Sequence, residues 1–509
     1  MTLTVEQEAR AFGELQGRLE ALFRKVFPDP LEPRSLVVVP SLSMDPHMLA
    51  KVTGVEHYEE RLLCMLMLLR LPRTRVIYLT SQPIDPTTIS YYLHLLPGIP
   101  GSHARKRLTL MSCRDASAVP LSQKILDRPR LLERIRKAIG DPQLGHMTCF
   151  TVTPLERRLA LALDLPIYGC DPALQDLGTK SGSREVFKAA GVDLPDGFER
   201  LRDETDVCAA LAELKQRNPD LRKAVVKHEE GASGEGNAVF RFDGCPSPDG
   251  VRAWVRKELP KGLRYEAPEE EWESYMAKLR EIGGIVEAWV EGKNKRSPSV
   301  QCRINPIGEA EIISTHDQIL GGPSGQVFKG CTFPADPGYR LEIQDAGDRI
   351  SQVLGSHGVL GRFGIDFVSV PEAEGWRHQA IEINLRKGGT THTFMTLQFL
   401  TDGSYDRETG LYRTPTGQER CYYASDNLKS PMYRGLTPED LIEISVEHRL
   451  HFHAATQQGV VFHLIGALSQ FGKLGVVCVA ESVAAAEALY HQTVAVLDRE
   501  AERLHKDRG

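Results

Sequence analysis

The stretch from Gln379 to Gly389 limits the possible folds of this chain most narrowly, because polar and aliphatic residues alternate along it before a pair of glycines. The alternating residues are the polar Glu382, Asn384 and Arg386 and the aliphatic Ile381, Ile383 and Leu385. Successive side chains of a strand point to opposite faces, so each set occupies one face. The stretch therefore predicts a β-strand with an aliphatic face against a core and a polar face that holds charge.

A second β-type segment, "RFGIDFVSV", precedes this strand and is joined to it by "PEAEGW", which predicts a β-hairpin. Asp366 lies between Ile365 and Phe367 and so belongs to a similar polar face. Two carboxylates and an amide oxygen crowded together need a cation, and Mg²⁺ prefers such oxygen ligands along with water and phosphate. We therefore predict that Asp366, Glu382 and Asn384 bind metal. The alternative is an edge strand whose acids merely face solvent.

The chain has 509 residues, which exceeds the size of one hydrophobic core and predicts about two to four domains. A hydrophobic fraction of 41%, a charged fraction of 26% and a net charge of -6 are ordinary for a globular protein and give no indication of nucleic-acid binding.

Ten cysteines occur without CxxC pairs or a zinc-like grouping, which favours reduced thiols in a cytoplasm. The "HFH" at 451–453 is an alternative metal-binding pattern, although such histidines more often lie on solvated surface.

The sequence contains no pattern typical of a secretory signal or a membrane span. The N-terminal "MTLTVEQEARAFGELQGRLEALF" is acidic and helical in period, without a basic leader region. The longest apolar run, "LLCMLMLLRL" at 62–71, has about half the length that a membrane-spanning helix needs, and it predicts a buried helix. We therefore expect a cytoplasmic protein with no membrane partner.

The order of the segments predicts the architecture. Two apolar runs, "SLVVVPS" at 35–41 and "RVIYLTS" at 75–81, flank the helical "EERLLCMLMLLRL", which predicts a parallel sheet covered by helices. The segment "HMTCFTVTPLERRLALALDLPIYG" continues this pattern to about residue 170, and short β-type segments then predict a mixed sheet up to about residue 400. A separate αβ unit follows. We expect an α/β (α+β) protein with domains at 1–170, 171–400 and 401–509.

Two lysines lie where they could meet an anion. Lys227 ends an apolar strand before a loop that contains Gly231, Gly234 and Gly236, and glycines let backbone N–H groups approach a phosphate closely. The loop matches neither GxxxxGK[ST] nor GxGxxG, and a plain hairpin turn is the alternative. Lys180 begins a predicted helix whose N-terminal dipole also favours an anion, and a solvated lysine is the alternative there.

Together with the strand "IVEAWVEG", these elements resemble the ATP-grasp superfamily over residues 171–400: two lysines, a glycine-rich loop, a hinge strand, and an acidic D…ExN face followed by arginine. Residues 1–170 resemble the pre-ATP-grasp domain of such proteins. The whole arrangement, including "FHLIGALSQFGKLGVV", is similar to the pheganomycin-type peptide ligases. The resemblance implies a lid subdomain at about 185–290 and a C-terminal domain that completes the substrate site.

The resemblance also implies roles for individual residues. ATP would be held by Lys180, Lys227, Gly231, Ser233, Gly234, Gly236, Glu287, Ala288, Trp289, Val290 and Glu291, with adenine at 287–290 and the ribose at Glu291. Asp366, Glu382 and Asn384 would bind two Mg²⁺ ions, which Mn²⁺ could replace. Arg386 and Lys227 would be catalytic, Arg386 by steadying the transferred phosphoryl group. Substrate contacts are predicted for Arg303, His316, Gly388, Gly389 and Thr390.

These roles suit one reaction. A carboxylate is a poor electrophile, and phosphorylation by ATP converts it into an acyl phosphate that an amine can attack. We therefore predict an ATP-dependent carboxylate–amine ligase that forms an amide bond and releases ADP and phosphate, with an amino acid or peptide among its substrates. The alternatives are a thiol or hydroxyl acceptor, or a nucleotide-binding protein without turnover. The sequence does not specify the oligomeric state, and a homodimer is one possibility because dimers are the commonest assembly of soluble enzymes.

Overall fold

The structure is a computed structural model that describes residues 4–44, 49–50, 52–231, 236–246, 250–267, 270–321 and 327–506. The described residues form a four-stranded parallel sheet, a five-stranded sheet, an eight-stranded sheet and a two-stranded hairpin, accompanied by helices. This arrangement confirms the predicted mixed α/β fold class.

The N-terminal sheet is built from apolar parallel strands. They are β1 (Arg34–Val39), β2 (Thr74–Thr80), β3 (Leu108–Ser112) and β4 (Gly145–Cys149), in the spatial order β3-β2-β1-β4. Val37 and Val38 are both fully buried, but they belong to two different core clusters because they point to opposite faces of β1. A strand buried on both faces is typical of parallel sheets, as predicted from the two apolar runs.

Helices cover both faces of this sheet. The α-helices are Val5–Gln16, Arg18–Val26, Pro86–His94, Gly101–Arg105, Leu121–Leu126, Pro129–Ile139 and Pro154–Leu163, and the 3-10 helices are Val55–Arg70 and Pro142–Leu144. The predicted buried helix at 62–71 matches the second half of Val55–Arg70, which ends one residue earlier and in which Leu62 and Leu66 are fully buried. Its hydrogen-bonding pattern is that of a 3-10 helix rather than an α-helix.

The second sheet is antiparallel and falls within the predicted lid region. Its strands are β5 (Gly197–Leu201), β6 (Lys223–His228), β7 (Asn237–Arg241), β8 (Arg264–Tyr265) and β9 (Gly284–Ala288), in the order β5-β9-β6-β7-β8. Helices Glu204–Arg217, Val251–Gly262 and Trp272–Ile282 pack against it around a separate apolar core. The antiparallel pairing of β6 and β7 forms a hairpin that carries Lys227.

The largest sheet has eight antiparallel strands. They are β10 (Pro298–Ile304), β11 (Ala310–Gly321), β12 (Val327–Phe333), β13 (Gly361–Glu372), β14 (Gly375–Asn384), β17 (Cys421–Lys429), β18 (Gly459–His463) and β19 (Lys473–Ala480). Their order is β14-β13-β10-β11-β12-β17-β19-β18, and a small hairpin of β15 (Ser404–Asp406) and β16 (Leu411–Arg413) lies apart. The accompanying α-helices are Lys180–Ala189, Arg340–Ser356, Gly389–Thr401, Pro438–Glu447, Leu468–Phe471 and Val483–Lys506, with 3-10 helices at Pro172–Gly178, Pro431–Tyr433 and Ile465–Ala467.

The C-terminal segment does not form a sheet of its own, which corrects the expectation of a separate αβ unit beyond residue 400. β17 pairs with β12 through Cys331 opposite Ala424, so the last three strands extend the large sheet. One core cluster contains Leu36 of β1 together with Val479 of β19. The pairing joins strands about ninety residues apart in sequence, and periodicity within each segment carries no information about it.

No helix in the described part of the chain combines the length and the apolar character that crossing a membrane requires.

Candidate active site

The predicted hairpin with the acidic face is formed by β13 and β14. Asp366 lies directly opposite Glu382, and Asn384 follows two residues later on the same strand. The Asn384 side-chain amide donates to Asp366 Oδ2 over 3.0 Å, which leaves its own Oδ1 as an oxygen ligand. The structure thus brings the three predicted metal ligands together.

A β-bulge at Ile381 interrupts the alternation that the sequence suggested. The register shifts between Asp366 and Phe367, so that Phe367 pairs with Ala380 and Ile381 has no partner. Ala380 and Ile383 are consequently both buried in the core, whereas Ile381 is only half-buried. The prediction that Ile381 anchors the core face is therefore wrong. Bulges re-aim neighbouring side chains, and this one lies immediately before Glu382.

Gln318, on the neighbouring part of the sheet, also contacts the acidic hairpin. Its side-chain amide donates to Asp366 Oδ1 over 2.8 Å, so Gln318 and Asn384 together hold both carboxylate oxygens. The sequence prediction missed this residue. The sequence could have indicated Gln318 through its position two residues after His316 on a β-type run, because residues two apart lie on the same face of a strand.

The two predicted phosphate-binding lysines lie beside the acidic hairpin. Lys180 Nζ is 2.5 Å from Glu382 Oε1, and Lys227 forms an ion pair with Glu287. The charge of Lys227 also helps to hold the pKa of Glu382 below its ordinary value, so Lys227 lies near the acidic hairpin. All four side chains are buried or half-buried, so the interactions between their charges are only weakly screened.

The electrostatics of the site follow from burial and crowding. Burial, and next the charge of Glu382, raise the pKa of Asp366 to about 6. Burial acts in the same direction on Glu382, but Lys180 and the other nearby cations outweigh it and hold the pKa of Glu382 below its ordinary value. Burial lowers the pKa of Arg386, against the pull of both acids. Two crowded carboxylates, one of them reluctant to ionise, fit a Mg²⁺ ion as donors because its charge would relieve their repulsion.

The helix that begins at Lys180 binds a carboxylate of its own chain. Glu229 accepts a 2.8 Å hydrogen bond from the Ser181 N–H, and Thr179 Oγ1 accepts one of 3.1 Å from the Gly182 N–H. The anion at this N-terminus is therefore the Glu229 carboxylate rather than a phosphate. Lys180 reaches the site through its side chain alone.

The hairpin of β6 and β7 is fixed next to Lys227. The Tyr275 hydroxyl lies 2.9 Å from the carbonyl oxygens of both Val226 and Gly236, and the His228 N–H donates to the same Gly236 carbonyl over 3.1 Å. Gly236 has φ +86, a conformation that favours glycine. Gly231 is exposed, and the predicted ATP-binding Ser233 and Gly234 lie outside the described residues.

Backbone groups of the segment predicted to hold adenine form hydrogen bonds with other parts of the protein. The N–H groups of Ala288 and Trp289 donate to the carbonyls of Asp196 (2.7 Å) and Lys223 (3.1 Å). The Val290 carbonyl accepts from Lys295 over 3.0 Å. These three groups already form hydrogen bonds within the protein, and adenine binding at 288–290 stays a prediction.

Glu287 and Glu291, predicted to hold adenine and the ribose, differ in their surroundings. The buried Glu287 carboxylate is paired with Lys227 and, over 3.2 Å, with Arg184. It therefore orients Lys227, and its contact with adenine stays a prediction. Glu291 lies just beyond the end of β9 and is exposed to solvent.

Two of the predicted substrate-binding residues are held by other side chains of the protein. His316 is fully buried, its Nε2 lies 2.6 Å from the Tyr422 hydroxyl, and burial lowers its pKa to about 3. Arg303 forms an ion pair with Glu311 on the adjacent strand. The prediction of substrate contacts is wrong for His316, because no face of it is accessible, and Arg303 is already held by its own carboxylate partner.

The turn after β14 is tied to the N-terminal sheet. The buried Lys387 donates to Thr148 Oγ1 over 3.0 Å and to the Cys149 carbonyl over 2.5 Å, at the end of β4. Gly389 begins the helix Gly389–Thr401, and a Cβ there would lie 2.7 Å from the ring of Phe328. The turn thus holds the Arg386 backbone in place, and Lys387 is a positioning residue that the sequence prediction missed.

The other two residues of the turn are less accessible than predicted. The Gly388 N–H donates to Thr391 Oγ1 over 2.9 Å, which uses the amide expected to approach a substrate. Thr390 is buried.

The fold and the site together define an ATP-grasp type of protein: an acidic hairpin on a large antiparallel sheet, lysines facing it from a helix and a smaller sheet, and a parallel-sheet domain alongside. The family described as "IQCH-like, ATP-grasp" matches residues 172–245 and 254–408, and "PGM1 C-terminal domain" matches 440–493. The L-propargylglycine–L-glutamate ligase of Streptantibioticus cattleyicolor is 32% identical over 461 residues, covering 88% of this chain and 91% of that protein. The chain therefore belongs to the ATP-grasp ligase family, which confirms the resemblance found in its sequence.

Solved structures support the fold assignment. The biotin carboxylase of Campylobacter jejuni in a β,γ-ATP complex superposes with a TM-score of 0.53 at 11% identity, covering 90% of each chain. The biotin carboxylase domain dimer of Hydrogenobacter thermophilus 2-oxoglutarate carboxylase, with MgADP and bicarbonate, gives a TM-score of 0.50 at 10% identity, covering 88% of this chain and 86% of that one. At this level of identity the likeness concerns the fold alone.

Proposed function

We propose that this protein is an ATP-dependent ligase that joins a carboxylate to an amine through an acyl phosphate and releases ADP and phosphate. The observation that carries the proposal is the convergence of Lys180 and Lys227 on the hairpin of Asp366, Glu382 and Asn384. Lysines supply the point charges that bind phosphates, and crowded carboxylates supply the oxygen ligands that Mg²⁺ prefers.

Each group has a role that follows from its charge. Asp366, Glu382 and Asn384 would hold Mg²⁺, or Mn²⁺ in its place, and the metal would supply charge neutralisation for the ATP phosphates. Lys180 and Lys227 bind the phosphates as point charges, and Glu287 keeps Lys227 in position. A cation near the reacting phosphoryl group stabilises the charge that develops there.

Arg386 takes that catalytic role on the substrate side. Its charge acts on both Asp366 and Glu382, so it lies close to the predicted metal site. Lys387 anchors the same turn to the N-terminal sheet, which fixes the backbone next to Arg386.

The reaction balances without a further reagent. A carboxylate oxygen attacks the γ-phosphorus, the bond to the β–γ bridging oxygen breaks, and ADP leaves. The amine then attacks the carbonyl carbon and loses a proton, and phosphate departs with one oxygen of the original carboxylate. The products are an amide, ADP and phosphate.

The substrates that we propose are amino acids or short peptides. The name of the relative from Streptantibioticus cattleyicolor specifies L-propargylglycine and L-glutamate, and 32% identity over most of both chains supports substrates of that class. We further propose that the protein works in the cytoplasm as a homodimer, with a nucleotide-binding domain at 171–400, including a lid subdomain, that shares its sheet with the residues after 400.

The experiment that tests this function supplies Mg·ATP with pools of L-amino acids, including L-glutamate and L-propargylglycine, and measures ADP together with the mass of new products. We expect ADP release that depends on two amino acids and a product lighter than their sum by one water. ADP release only with thiol or alcohol acceptors would favour the alternative acceptor. Binding of Mg·ATP without ADP release in any pool would favour a protein that only binds nucleotide.

A further inference from the structure

Three ligand-type side chains meet in the interior, outside the nucleotide site. His392 comes from the helix Gly389–Thr401, Asp426 from β17 and His463 from the end of β18, and all three are buried. The Nε2 atoms of the two histidines are 3.2 Å apart, and they lie 3.1 Å (His392) and 2.7 Å (His463) from the same oxygen, Asp426 Oδ1. Among the described residues, these three side chains have ligand atoms close enough together to hold one metal ion.

We propose that His392, Asp426 and His463 bind one divalent transition-metal ion, at a site made of different residues from the predicted Mg²⁺ site. Ligand atoms about 2.1 Å from a shared ion, at angles of about 90–110°, lie about 3.0–3.4 Å from one another. The observed separations of 2.7, 3.1 and 3.2 Å are close to this range. Binding would require the pair at 2.7 Å to separate by only a few tenths of an ångström.

Arg61 orients the Asp426 carboxylate so that one of its oxygens faces the two imidazoles. Arg61 Nη2 lies 2.9 Å from Asp426 Oδ2, so the other oxygen, Oδ1, faces the histidines. The register of β17 shifts between Ser425 and Leu428, and Asp426 therefore sits in an irregular part of the strand. Outer partners that orient a ligating carboxylate in this way are common around protein metal sites.

Gly475 provides the space beside His463. It lies directly opposite His463 in the ladder between β18 and β19, and a Cβ at this position would come within 2.1 Å of His463 Nε2. Any other residue would displace the atom that we assign as a ligand.

The donor set determines the class of metal. Two imidazole nitrogens and one carboxylate oxygen suit Zn²⁺, Co²⁺, Fe²⁺ or Ni²⁺, whereas Mg²⁺ requires oxygen ligands. The alternative pattern "HFH" takes no part, because His453 is exposed and pairs with Gln458 outside the cluster.

A metal ion here would fasten distant parts of the chain. His392 is six residues after Arg386, and Arg61 belongs to the N-terminal 3-10 helix, while Asp426 and His463 belong to the last strands of the large sheet. An ion that binds only the folded protein raises its melting temperature by mass action. The site would thus stabilise the turn that carries Arg386.

The test titrates the full-length protein, stripped with EDTA and held in excess MgCl₂ without nucleotide, with ZnCl₂ by calorimetry. We expect one Zn²⁺ per chain and a higher melting temperature. His463→Gln should weaken Zn²⁺ binding by at least about tenfold. The matched control His453→Gln removes an exposed histidine, and Glu382→Gln removes a predicted Mg²⁺ ligand, so neither should change Zn²⁺ binding.

Two outcomes would overturn the proposal. Absence of Zn²⁺ binding to the wild type would mean that hydrogen bonds alone hold the cluster. Unchanged Zn²⁺ binding in His463→Gln would place the ion elsewhere. Should His463→Gln fail to fold, the visible absorption of Co²⁺ added to the wild type decides the matter: bands of nitrogen-ligated Co²⁺ support the site, and a spectrum of aqueous Co²⁺ contradicts it.

Discussion

Glu382 is the residue on which the chemistry of the proposed site depends most. It is paired with Lys180 and faces Asp366 across the hairpin, so it links the phosphate-binding and metal-binding groups. Glu382→Gln removes the charge while keeping the shape of the side chain. We expect ADP formation to fall by at least about a hundredfold, because a metal ligand contributes several kcal/mol to the transition state.

The measurement is steady-state ADP release at saturating Mg·ATP, with the melting temperature checked in parallel. Glu374→Gln is the matched control, since Glu374 is an exposed acid in the turn of the same hairpin. It should retain wild-type turnover. Equal rates in Glu382→Gln and the control would remove Glu382 from the metal site.

At the scale of elements, Tyr275 fixes the hairpin that presents Lys227. Its hydroxyl reaches the carbonyl oxygens of Val226 and Gly236, on the two sides of the hairpin. Tyr275→Phe should lower the free energy of unfolding by about 1 kcal/mol and raise the KM for ATP, because Lys227 loses its fixed position. Urea unfolding and ATP-dependent kinetics measure the two effects.

Tyr265→Phe is the matched control for this change. The Tyr265 ring packs against the Tyr275 ring, but its buried hydroxyl has no hydrogen-bond partner among the described residues. Its removal should leave both stability and KM near the wild-type values. If both variants behaved alike, the Tyr275 hydroxyl would have no special function.

The contact between the 3-10 helix and β2 makes the stability of the N-terminal sheet depend on pH. The buried Glu59 carboxylate accepts from the Ser81 N–H (2.5 Å) and hydroxyl (2.7 Å), and burial raises its pKa to about 7 from 4.5. Between these values the folded protein binds more protons than the unfolded chain. Its free energy of unfolding should therefore fall as pH rises from 4.5 to 7, by up to about 1.4 kcal/mol per pH unit, and change little above.

Chemical denaturation at several pH values from 4.5 to 8 measures this dependence. In Glu59→Gln the free energy of unfolding should no longer fall between pH 4.5 and 7. In Glu133→Gln, which changes an exposed residue of the helix Pro129–Ile139, the fall should remain. A slope that is the same in Glu59→Gln and the wild type would show that another group titrates.

Local patterns predicted the elements well, and their limits have physical causes. Period-two alternation predicted β13 and β14, and the apolar runs predicted β1 and β2, because burial of one or both faces determines these patterns. The bulge at Ile381 leaves the composition of the strand unchanged, so the alternation appears continuous through it. Hydrogen bonds such as those of Glu229 to the helix at Lys180 join segments that sequence spacing does not relate.

At the scale of the whole molecule, the residues after 400 complete the fold rather than follow it. β17 covers the edge of β12, and Tyr422 and Val479 belong to the same core cluster as Leu36 of the N-terminal sheet. A fragment that ends at residue 400 would expose that core and an open strand edge. We expect it to aggregate or to lack a cooperative thermal transition, as judged by gel filtration and near-ultraviolet circular dichroism.

A compact fragment 1–400 that melts cooperatively and binds Mg·ATP would contradict this account and would restore the independent C-terminal domain suggested by the sequence. The sequence correctly predicted that the segment after residue 400 contains strands and a helix. It could not indicate their pairing partner, because two helices, the β13–β14 hairpin and the small β15–β16 hairpin lie between β12 and β17 in the sequence.

We propose that the site of Lys180, Lys227, Asp366, Glu382 and Asn384 activates a carboxylate by phosphorylation. The most direct test uses a substrate labelled with ¹⁸O in both carboxyl oxygens and measures the isotope in the phosphate released. The acyl phosphate account predicts one ¹⁸O in the phosphate for each amide formed. Amide formation with phosphate that carries no label would contradict it.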